Sequence, residues 1–297
     1  MILVTGASGF VGRHVVQRLA QQSPANVRAM VRNRGRYSPP ARVEVSEADV
    51  TRPDSLPAAV QGVDGLVHCA AITGDLKEPY KGAYEDVNHR GTEQLMAAAA
   101  SAGVKRVVLV SGLGTRPAPD GTYMATRWGM EEAVRESGIP HVILQPSVQI
   151  GDGAEFVAAL ARLARQSPVM PLLGGGRLVF QPIWVEDVVT CVEKAIEDDR
   201  LLGRAIAIGG SEKVTFREVV QAICAALGKR RILAPLPLPI ARLAARLMQV
   251  LPRPPLTPAS MELFSFENAT EIDAVDNNFG FHPQGFRQYL EAHGVEF

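Results

Sequence analysis

ILVTGASGFVG, residues 2 to 12, is the stretch of this 297-residue sequence that decides its fold. Residues 2–5 are a short apolar run, and the glycines after them are spaced as GxxGxxG. Apolar residues then recur at helical spacing from Phe10 to Leu19. A strand, a Gly-rich turn and a helix in this order predict a dinucleotide site, because the start of such a helix presents free N–H groups and a positive dipole end to the pyrophosphate.

Each glycine of the turn has a separate predicted role. Gly6 permits the tight turn, Gly9 lets the backbone approach a phosphate, and Gly12 lets the helix pack close to the strand. The turn residues predicted to contact the cofactor are Gly6, Ser8, Gly9, Phe10, Val11 and Gly12.

Strands and helices alternate after this turn. We predict strands at 2–5, 27–31, 43–45, 65–70, 107–110 and 142–144, and helices at 10–19, 56–60, 84–102 and 123–137. This alternation predicts an α/β protein with a Rossmann-type doubly wound parallel sheet. We expect residues 1–150 to form the NADP(H)-binding domain. Residues 151–297 would form a smaller C-terminal α/β lobe that serves substrate or lid functions and returns some strands to the sheet.

Two segments of the C-terminal part are open to interpretation. The Pro-rich stretch APLPLP, residues 234–239, is expected to interrupt regular structure and to mark a lobe boundary. The stretch 240–251 has the pattern of an amphipathic helix, with two arginines, Arg242 and Arg246, off its apolar side. Its apolar side either packs over a cleft or contacts a membrane surface or a partner. That side carries Ile240, Leu243, Leu247 and Val250.

Composition excludes several classes of protein. The 31 basic residues balance the 31 acidic ones, so no global field attracts nucleic acid or an anionic membrane, and any charge-based recognition must be local. We expect no transmembrane segment, since no apolar run approaches about 18 residues. The N-terminus lacks signal-peptide features, and three scattered cysteines fit a reducing compartment, so we expect a cytoplasmic location. His68, His89 and His141 do not form a ligand cluster, and we predict no metal site.

Basic residues around the second strand favour NADP(H) over NAD(H). No acidic residue lies between Gly12 and Glu44, although a site for NAD(H) usually places one about 20 residues after its glycines. Arg32 and Arg34 are the predicted ligands of a 2′-phosphate, because a guanidinium binds phosphate in a fork, with Arg13 and Arg36 as helpers. NAD(H) and a merely solvated basic loop remain the alternatives. The segment contains Arg13, Arg18, Arg28, Arg32, Arg34, Arg36 and Arg42.

With these motifs the sequence resembles the short-chain dehydrogenase/reductase superfamily in its extended and atypical, epimerase/dehydratase-like branches. The matching segments, in chain order, are TGASGFVG, Asp49-Val50, His68-Cys69-Ala70-Ala71, Val87 to Thr92 (VNHRGT), Gln145-Pro146-Ser147 and Gln181 to Asp187 (QPIWVED). Gln145 replaces the customary Arg. The resemblance implies further cofactor contacts from Asp49, Val50, Ala70, Ala71, Asn88, Pro146 and Ser147.

Within that superfamily the later segments are most similar to the group of the nucleotide-binding accessory subunit of respiratory complex I and its bacterial relatives. They are Thr215 to Glu218 (TFRE), residues 234–239, and Leu251 to Thr257 (LPRPPLT). The similarity implies that this chain can associate peripherally with a membrane or with respiratory machinery.

The catalytic residues implied by the resemblance are Tyr123, Arg127 and Ser111, with Thr115 as an alternative to the serine. In the superfamily a tyrosine exchanges a proton with the substrate oxygen, and a lysine four residues later lowers the tyrosine pKa and reaches the cofactor ribose. Here the lysine is replaced by Arg127, whose planar fork differs in shape and reach.

Two functions therefore follow. One is an oxidoreductase or epimerase-like enzyme acting on an unknown small carbonyl or hydroxyl compound. The other is a non-catalytic NADPH-binding accessory or redox-sensing protein linked to quinone or respiratory machinery.

Overall fold

A computed structural model describes residues 1–23, 26–251 and 254–295. Its strands are β1 (Ile2–Thr5), β2 (Val27–Val31), β3 (Glu44–Glu47), β4 (Gly65–His68), β5 (Arg106–Val110), β6 (His141–Pro146), β7 (Gln149–Ile150), β8 (Val169–Leu173), β9 (Val179–Phe180), β10 (Ile183–Trp184), β11 (Arg204–Ile208), β12 (Val214–Thr215) and β13 (Ile232–Leu236). Its α-helices are α1 (Phe10–Gln22), α2 (Leu56–Val60), α3 (Gly91–Ser101), α4 (Tyr123–Glu136), α5 (Glu155–Gln166), α6 (Val185–Glu197), α7 (Phe216–Ala226), α8 (Leu238–Leu247), α9 (Pro258–Leu263), α10 (Ala274–Phe279) and α11 (Phe286–His293).

Seven strands form the main sheet, in the order β11-β6-β5-β4-β1-β2-β3. The neighbouring pairs from β6 to β3 run parallel. This order confirms the predicted Rossmann-type doubly wound sheet, and it places the turn after β1 where the strand order reverses. Ligands of such sheets bind beyond the carboxyl ends of the strands at that point.

The central strands are apolar because helices cover both of their faces. Leu3 and Val4 of β1 and Val67 of β4 are fully buried. On one side, Leu56 of α2 and Leu95 of α3 pack against this sheet in a single core cluster. This packing fixes the positions of the strand ends that carry the candidate site.

The chain divides into two compact units. The first contains residues 1–72, 78–145 and 188–206, and the second contains 73–77, 146–187 and 207–297. Assignment of cofactor binding to residues 1–150 and of substrate or lid functions to 151–297 stays a prediction. The second unit holds the two-stranded sheets β10-β7, β12-β9 and β13-β8.

Aromatic rings fill the core of the second unit. Phe180 lies 6.0 Å from Phe216 and 5.6 Å from Phe264, measured between ring centroids. All three side chains are buried, so Phe180 and Phe264 are core residues of this unit.

The expectation that residues 234–239 interrupt regular structure and mark a boundary is wrong. Pro235 lies in β13, whose one partner among the described strands is β8, and Pro239 lies in the first turn of α8. A proline is tolerated on an edge strand and in the first turn of a helix, since neither position needs its N–H. The stretch lies inside the second unit and not between the two.

The predicted amphipathic helix at 240–251 forms as α8 and a following 3₁₀ turn, Met248–Val250. Its interpretation as a face packed over a cleft is wrong, because Ile240, Leu243, Leu247 and Val250 are all exposed.

Candidate nucleotide site and active site

The glycine turn after β1 is built by contacts that exclude larger residues. Gly6 has a φ of +63°, and a Cβ there would lie 2.7 Å from the carbonyl oxygen of Cys69. A Cβ on Gly12 would collide with the carbonyl oxygen of Gly6. Gly6 and Gly12 therefore play the predicted roles of tight turn and close helix packing.

The N-terminus of α1 suits an anion. Gly9 is its N-cap and supplies no side-chain cap, and its first turn contains no acidic residue. The first N–H groups of the helix and its positive dipole end therefore face the turn without a competing carboxylate. These features fit the pyrophosphate of a dinucleotide, which would be held by the N–H groups of Phe10, Val11 and Gly12.

The basic residues near β2 fall into two groups. Arg28 is engaged by Glu44 at 2.8 Å and by the carbonyl oxygens of Ala59 and Gln61, and Arg18 is engaged by Glu193 at 2.9 Å. The second group is Arg32, Arg34 and Arg36, which directly follow β2, are exposed, and have no ion pair within the described ranges. The backbone N–H of Arg34 donates to Glu47 at 2.8 Å. The second group keeps its guanidinium groups available for a ligand.

Asp49 and Val50 lie just past β3, where the resemblance expects the adenine. The Oδ1 atom of Asp49 accepts hydrogen bonds from the backbone N–H and the hydroxyl of Thr51, at 2.9 and 2.8 Å. Val50 is buried, and a Cβ on Gly91 would lie 2.8 Å from its Cγ2. Because residue 91 has no side chain, the start of α3 can approach this loop closely.

A buried histidine connects β1 to β4 and to α3. The Nδ1 atom of His68 lies 2.7 Å from Thr5 Oγ1, and its Nε2 atom lies 2.9 Å from Thr92 Oγ1. Thr92 donates its own proton to the carbonyl oxygen of Asn88, so it accepts from Nε2–H, while Thr5 donates to Nδ1. Burial lowers the pKa of His68 to about 4, which keeps the ring neutral.

Asn88 extends this network toward α4, where its Nδ2 donates to Thr126 Oγ1 at 3.5 Å. It lies in a π-helical turn, Glu85–Arg90, that runs directly into α3. Its side-chain oxygen accepts from the N–H of Ile72 at 2.8 Å, and its Nδ2 donates to the carbonyl oxygen of Ile72 at 3.0 Å. These two hydrogen bonds fix the position of the segment after β4, which contains Ala70 and Ala71. A fixed backbone there is what the predicted cofactor contacts of Ala70 and Ala71 need.

Tyr123 and Arg127 lie one turn apart on α4, and both are buried. The guanidinium carbon lies 5.8 Å from the centre of the Tyr123 ring, and the Tyr84 ring packs edge-on at 5.0 Å. The Nη2 atom of Arg127 is buried, and it has no hydrogen-bond partner among the residues that the structure describes. A buried donor without a partner is costly, so this atom is suited to an acceptor such as a ribose hydroxyl.

Ser111 lies directly after β5, as predicted, but a buried carboxylate engages it. Its hydroxyl donates to Glu131 Oε1 at 2.6 Å and lies 3.3 Å from Thr115 Oγ1. Glu131 is fully buried and also accepts from Gln145 at 2.8 Å and from Arg135 at 2.7 Å. The residue missed by the sequence reasoning is Glu131; the only signal was its spacing, one further turn along α4 from Tyr123 and Arg127.

Pro146 and Ser147 belong to the second unit, as does Asp187. The Ser147 hydroxyl donates to the side-chain and backbone oxygens of Asn268, at 2.7 and 2.9 Å. Asp187 accepts from the backbone N–H of Gln284 at 2.8 Å, a contact that ties the start of α6 to the segment before α11.

The strand order and the glycine turn define a Rossmann-type dinucleotide-binding protein. The family model described as NAD(P)H-binding matches residues 6–165, more than half of the chain. The chain belongs to this NAD(P)H-binding family.

Two relatives match along the chain. A Streptomyces griseus protein named (4-alkanoyl-5-oxo-2,5-dihydrofuran-3-yl)methyl phosphate reductase is 30% identical, and the match covers 100% of this chain and 99% of the relative. The mitochondrial NADH dehydrogenase [ubiquinone] 1 alpha subcomplex subunit 9 of Arabidopsis thaliana is 26% identical, over 99% of this chain and 76% of the relative.

A solved structure, MoeE5 in complex with UDP-glucose and NAD, shares the fold. Its TM-score is 0.75 at 23% identity, and the match covers 99% of this chain and 97% of that chain. In the part of this chain that the structure describes, no helix combines the length and apolar character needed to cross a membrane.

Proposed function

We propose that this chain is an NADPH-dependent oxidoreductase, with epimerase-like chemistry as a variant, that acts on a small carbonyl or hydroxyl compound. The observation that carries the proposal is the buried pair Tyr123 and Arg127, in which Nη2 of Arg127 is buried and lacks a described partner. A catalytic tyrosine and a ribose-binding cation would occupy such positions. The name of the Streptomyces griseus relative is that of a reductase, which supports reduction as the class of reaction.

A reduced nicotinamide, when bound, supplies the hydride that adds to the carbonyl carbon of the substrate. Tyr123 donates its phenolic proton to the carbonyl oxygen, so that the carbonyl becomes an alcohol and Tyr123 is left as a phenolate. Arg127 stabilises this phenolate by its charge and holds the ribose through Nη2. The hydroxyl of Ser111 already donates its proton to Glu131, so toward the substrate it can only accept a hydrogen bond. Tyr123 is therefore the source of the proton that the carbonyl oxygen receives.

The proposed preference for NADPH is supported by the loop after β2. Arg32 and Arg34 are exposed and without ion pairs among the described residues, whereas Arg28 is consumed by Glu44. Their guanidinium groups would bind a 2′-phosphate through bidentate hydrogen bonds. We assign cofactor binding to residues 1–150 and substrate selection to residues 151–297. We place the protein in the cytoplasm, because its three cysteines are free thiols.

The cofactor preference is tested by titrating the protein with NADPH and NADH, monitored by fluorescence. Arg32→Gln should weaken NADPH binding about tenfold, the loss of one charge-assisted contact, and leave NADH binding unchanged. Arg42→Gln removes the same charge later in the segment and is the matched control. Equal affinities of the native chain for both cofactors would remove the assignment of Arg32.

Catalysis is tested by NADPH oxidation with a panel of aldehydes and ketones. Tyr123→Phe should lower kcat by about 100-fold or more, the usual contribution of a positioned acid, while NADPH affinity stays within about twofold. A Tyr123→Phe variant as active as the native chain would exclude this mechanism.

The second candidate is a non-catalytic NADPH-binding accessory protein. It is favoured by the replacement of the customary lysine by Arg127 and by the similarity to a respiratory-chain subunit of Arabidopsis thaliana. Tight NADPH binding without hydride transfer to any member of the panel, in the native chain and in Arg127→Lys alike, would support this candidate over the enzyme.

A further inference from the structure

Four large apolar side chains that the second unit exposes lie together on α8 and its 3₁₀ turn. We call Ile240, Leu243, Leu247 and Val250 the apolar stripe. Their exposed fractions are 55%, 57%, 66% and 85%. At 100° per residue, the first three residues fall on one face of α8, and Val250 continues this face through the 3₁₀ turn. Four large apolar residues in one line are more than the scattered exposure that is normal for a soluble surface.

The stripe is held facing outward. Ala241 and Ala245, on the opposite face of α8, are fully buried in the core that contains Phe180 and Phe216. At the far end, the ammonium group of Lys77 donates to the carbonyl oxygen of Gln249 at 2.6 Å and to that of Leu251 at 3.3 Å. The helix therefore cannot rotate to bury the stripe without losing its small-residue packing.

The sequence segment that carries the stripe is basic, although the whole chain is neutral. Residues 229–260 contain six basic residues and no acidic residue. Arg242 and Arg246 are exposed and lie beside the stripe on α8, and their guanidinium groups have no ion pair or hydrogen bond within the described part of the chain. They also line a groove of about 300 Å³ with Met261 and Glu262, which is its one lining carboxyl residue.

We propose that α8 and its 3₁₀ turn dock this protein on the surface of an anionic membrane. The stripe inserts its side chains at the boundary between headgroups and acyl chains, and Arg242 and Arg246 bind lipid phosphates from the side. The charge argues for lipid, because a surface of phosphates complements a segment, residues 229–260, that carries six basic residues and no acidic one. The helix lies in the plane of the interface and does not span the membrane.

The test is flotation of the full chain, loaded with NADPH, with phosphatidylcholine vesicles that contain or lack phosphatidylglycerol. The native chain should float with the anionic vesicles, less with the neutral ones, and less at high salt. Leu243→Glu/Leu247→Glu should reduce binding by about tenfold or more, because two apolar contacts are replaced by charges that anionic lipid repels. Arg242→Gln/Arg246→Gln should reduce binding to anionic vesicles by about tenfold, and the binding that remains should depend less on salt.

Ile272→Glu is the matched control, because Ile272 is 46% exposed in the same unit but lies outside the stripe. It should bind vesicles like the native chain, and all variants should keep their circular dichroism and NADPH affinity. Absence of native binding to anionic vesicles, or equal losses in Ile272→Glu and the stripe variant, would overturn the proposal. A dimer in sedimentation velocity that Leu243→Glu/Leu247→Glu dissociates would instead assign the stripe to a second copy of the chain and overturn the membrane assignment.

Discussion

At the scale of single residues, Gly112 explains how an arginine fits the position after Tyr123. A Cβ on residue 112 would lie 2.8 Å from Cζ of Arg127 and would collide with its Nη2 atom. The guanidinium group thus occupies the space that a side chain at residue 112 would need. Gly112 and Arg127 therefore form a matched pair: because Gly112 has no side chain, the guanidinium group of Arg127 fits beside it.

This pairing has a measurable consequence. Gly112→Ala should displace the guanidinium group and raise the Kd for NADPH by about tenfold, a coupling typical of residues in direct contact. In an Arg127→Lys background the same substitution should change the Kd by less than about twofold, because the linear ammonium side chain lacks the fork. Fluorescence titration of the four chains measures the coupling. Equal losses in both backgrounds would show that Gly112 and Arg127 act independently.

The site could be predicted from the sequence where its geometry is local. Tyr123 and Arg127 are four residues apart on one helix, so their shared face follows from the helical repeat. Glu131 follows the same repeat, yet a glutamate in a helix ordinarily indicates a solvated side chain. Its burial depends on Ser111 and Gln145, which come from the ends of two different strands. Only the folded arrangement brings these three residues together.

At the scale of secondary-structure elements, His68 joins two strands to a helix. It is fully buried on β4, it accepts from Thr5 of β1, and it donates to Thr92 of α3. Protonation would give the ring two N–H donors, and its Nδ1 would then face a hydroxyl whose oxygen already accepts from the N–H groups of Cys69 and Ala70. The network therefore requires neutral His68.

The stability of the fold should consequently depend on pH. The pKa of His68 is lowered from 6.5 to about 4, so between these values the unfolded chain binds more protons than the folded one. Stability from this group is complete above pH 6.5 and falls by about 3 kcal/mol as the pH drops to about 4. Urea unfolding across this range measures the slope.

His68→Gln is the control for this slope, because an amide offers one donor and one acceptor at every pH. The variant should lose less stability on acidification than the native chain. The carboxylates titrate in both chains, so the difference between the two slopes is the contribution of His68. Identical slopes for the two chains would contradict the network as assigned.

Some elements resisted prediction for reasons of context. Residues 84–102 show one helical pattern, but the first turn is π-helical at Glu85–Arg90, where Asn88 binds Ile72. The prolines of 234–239 indicate a break by propensity, although an edge strand and a helix start accept them. Propensity describes a residue in isolation, whereas these outcomes depend on which hydrogen-bond donors the neighbours require.

At the scale of the whole molecule, the alternation of strands and helices was enough to predict the main sheet. Each βα unit is local, and parallel strands joined by helices have few arrangements. The second unit was less predictable, because strands such as β9 and β12 contain two residues each and pair across the chain. Net charge was also uninformative, since a neutral total conceals the basic segment 229–260.

The two proposed sites lie in different units, and hydrogen exchange should distinguish them. NADPH at about 100 times its Kd should slow exchange in residues 6–13 and 32–36 of the first unit, since ligand binding stabilises the folded state by about 2.7 kcal/mol. Anionic vesicles should instead slow exchange in residues 238–251 of the second unit, where α8 and its 3₁₀ turn lie. Mass spectrometry of peptides, with Arg32→Gln and Leu243→Glu/Leu247→Glu as reciprocal controls, measures both effects. Because a tenfold weaker Kd leaves NADPH at about 10 times that Kd, Arg32→Gln should keep only about 1.4 kcal/mol, roughly half, of the first protection and all of the second. The stripe variant should keep the first protection and lose most of the second. Vesicle protection at residues 32–36 that Arg32→Gln removes would show that lipid phosphate competes for the nucleotide site, and would count against a separate membrane surface at α8.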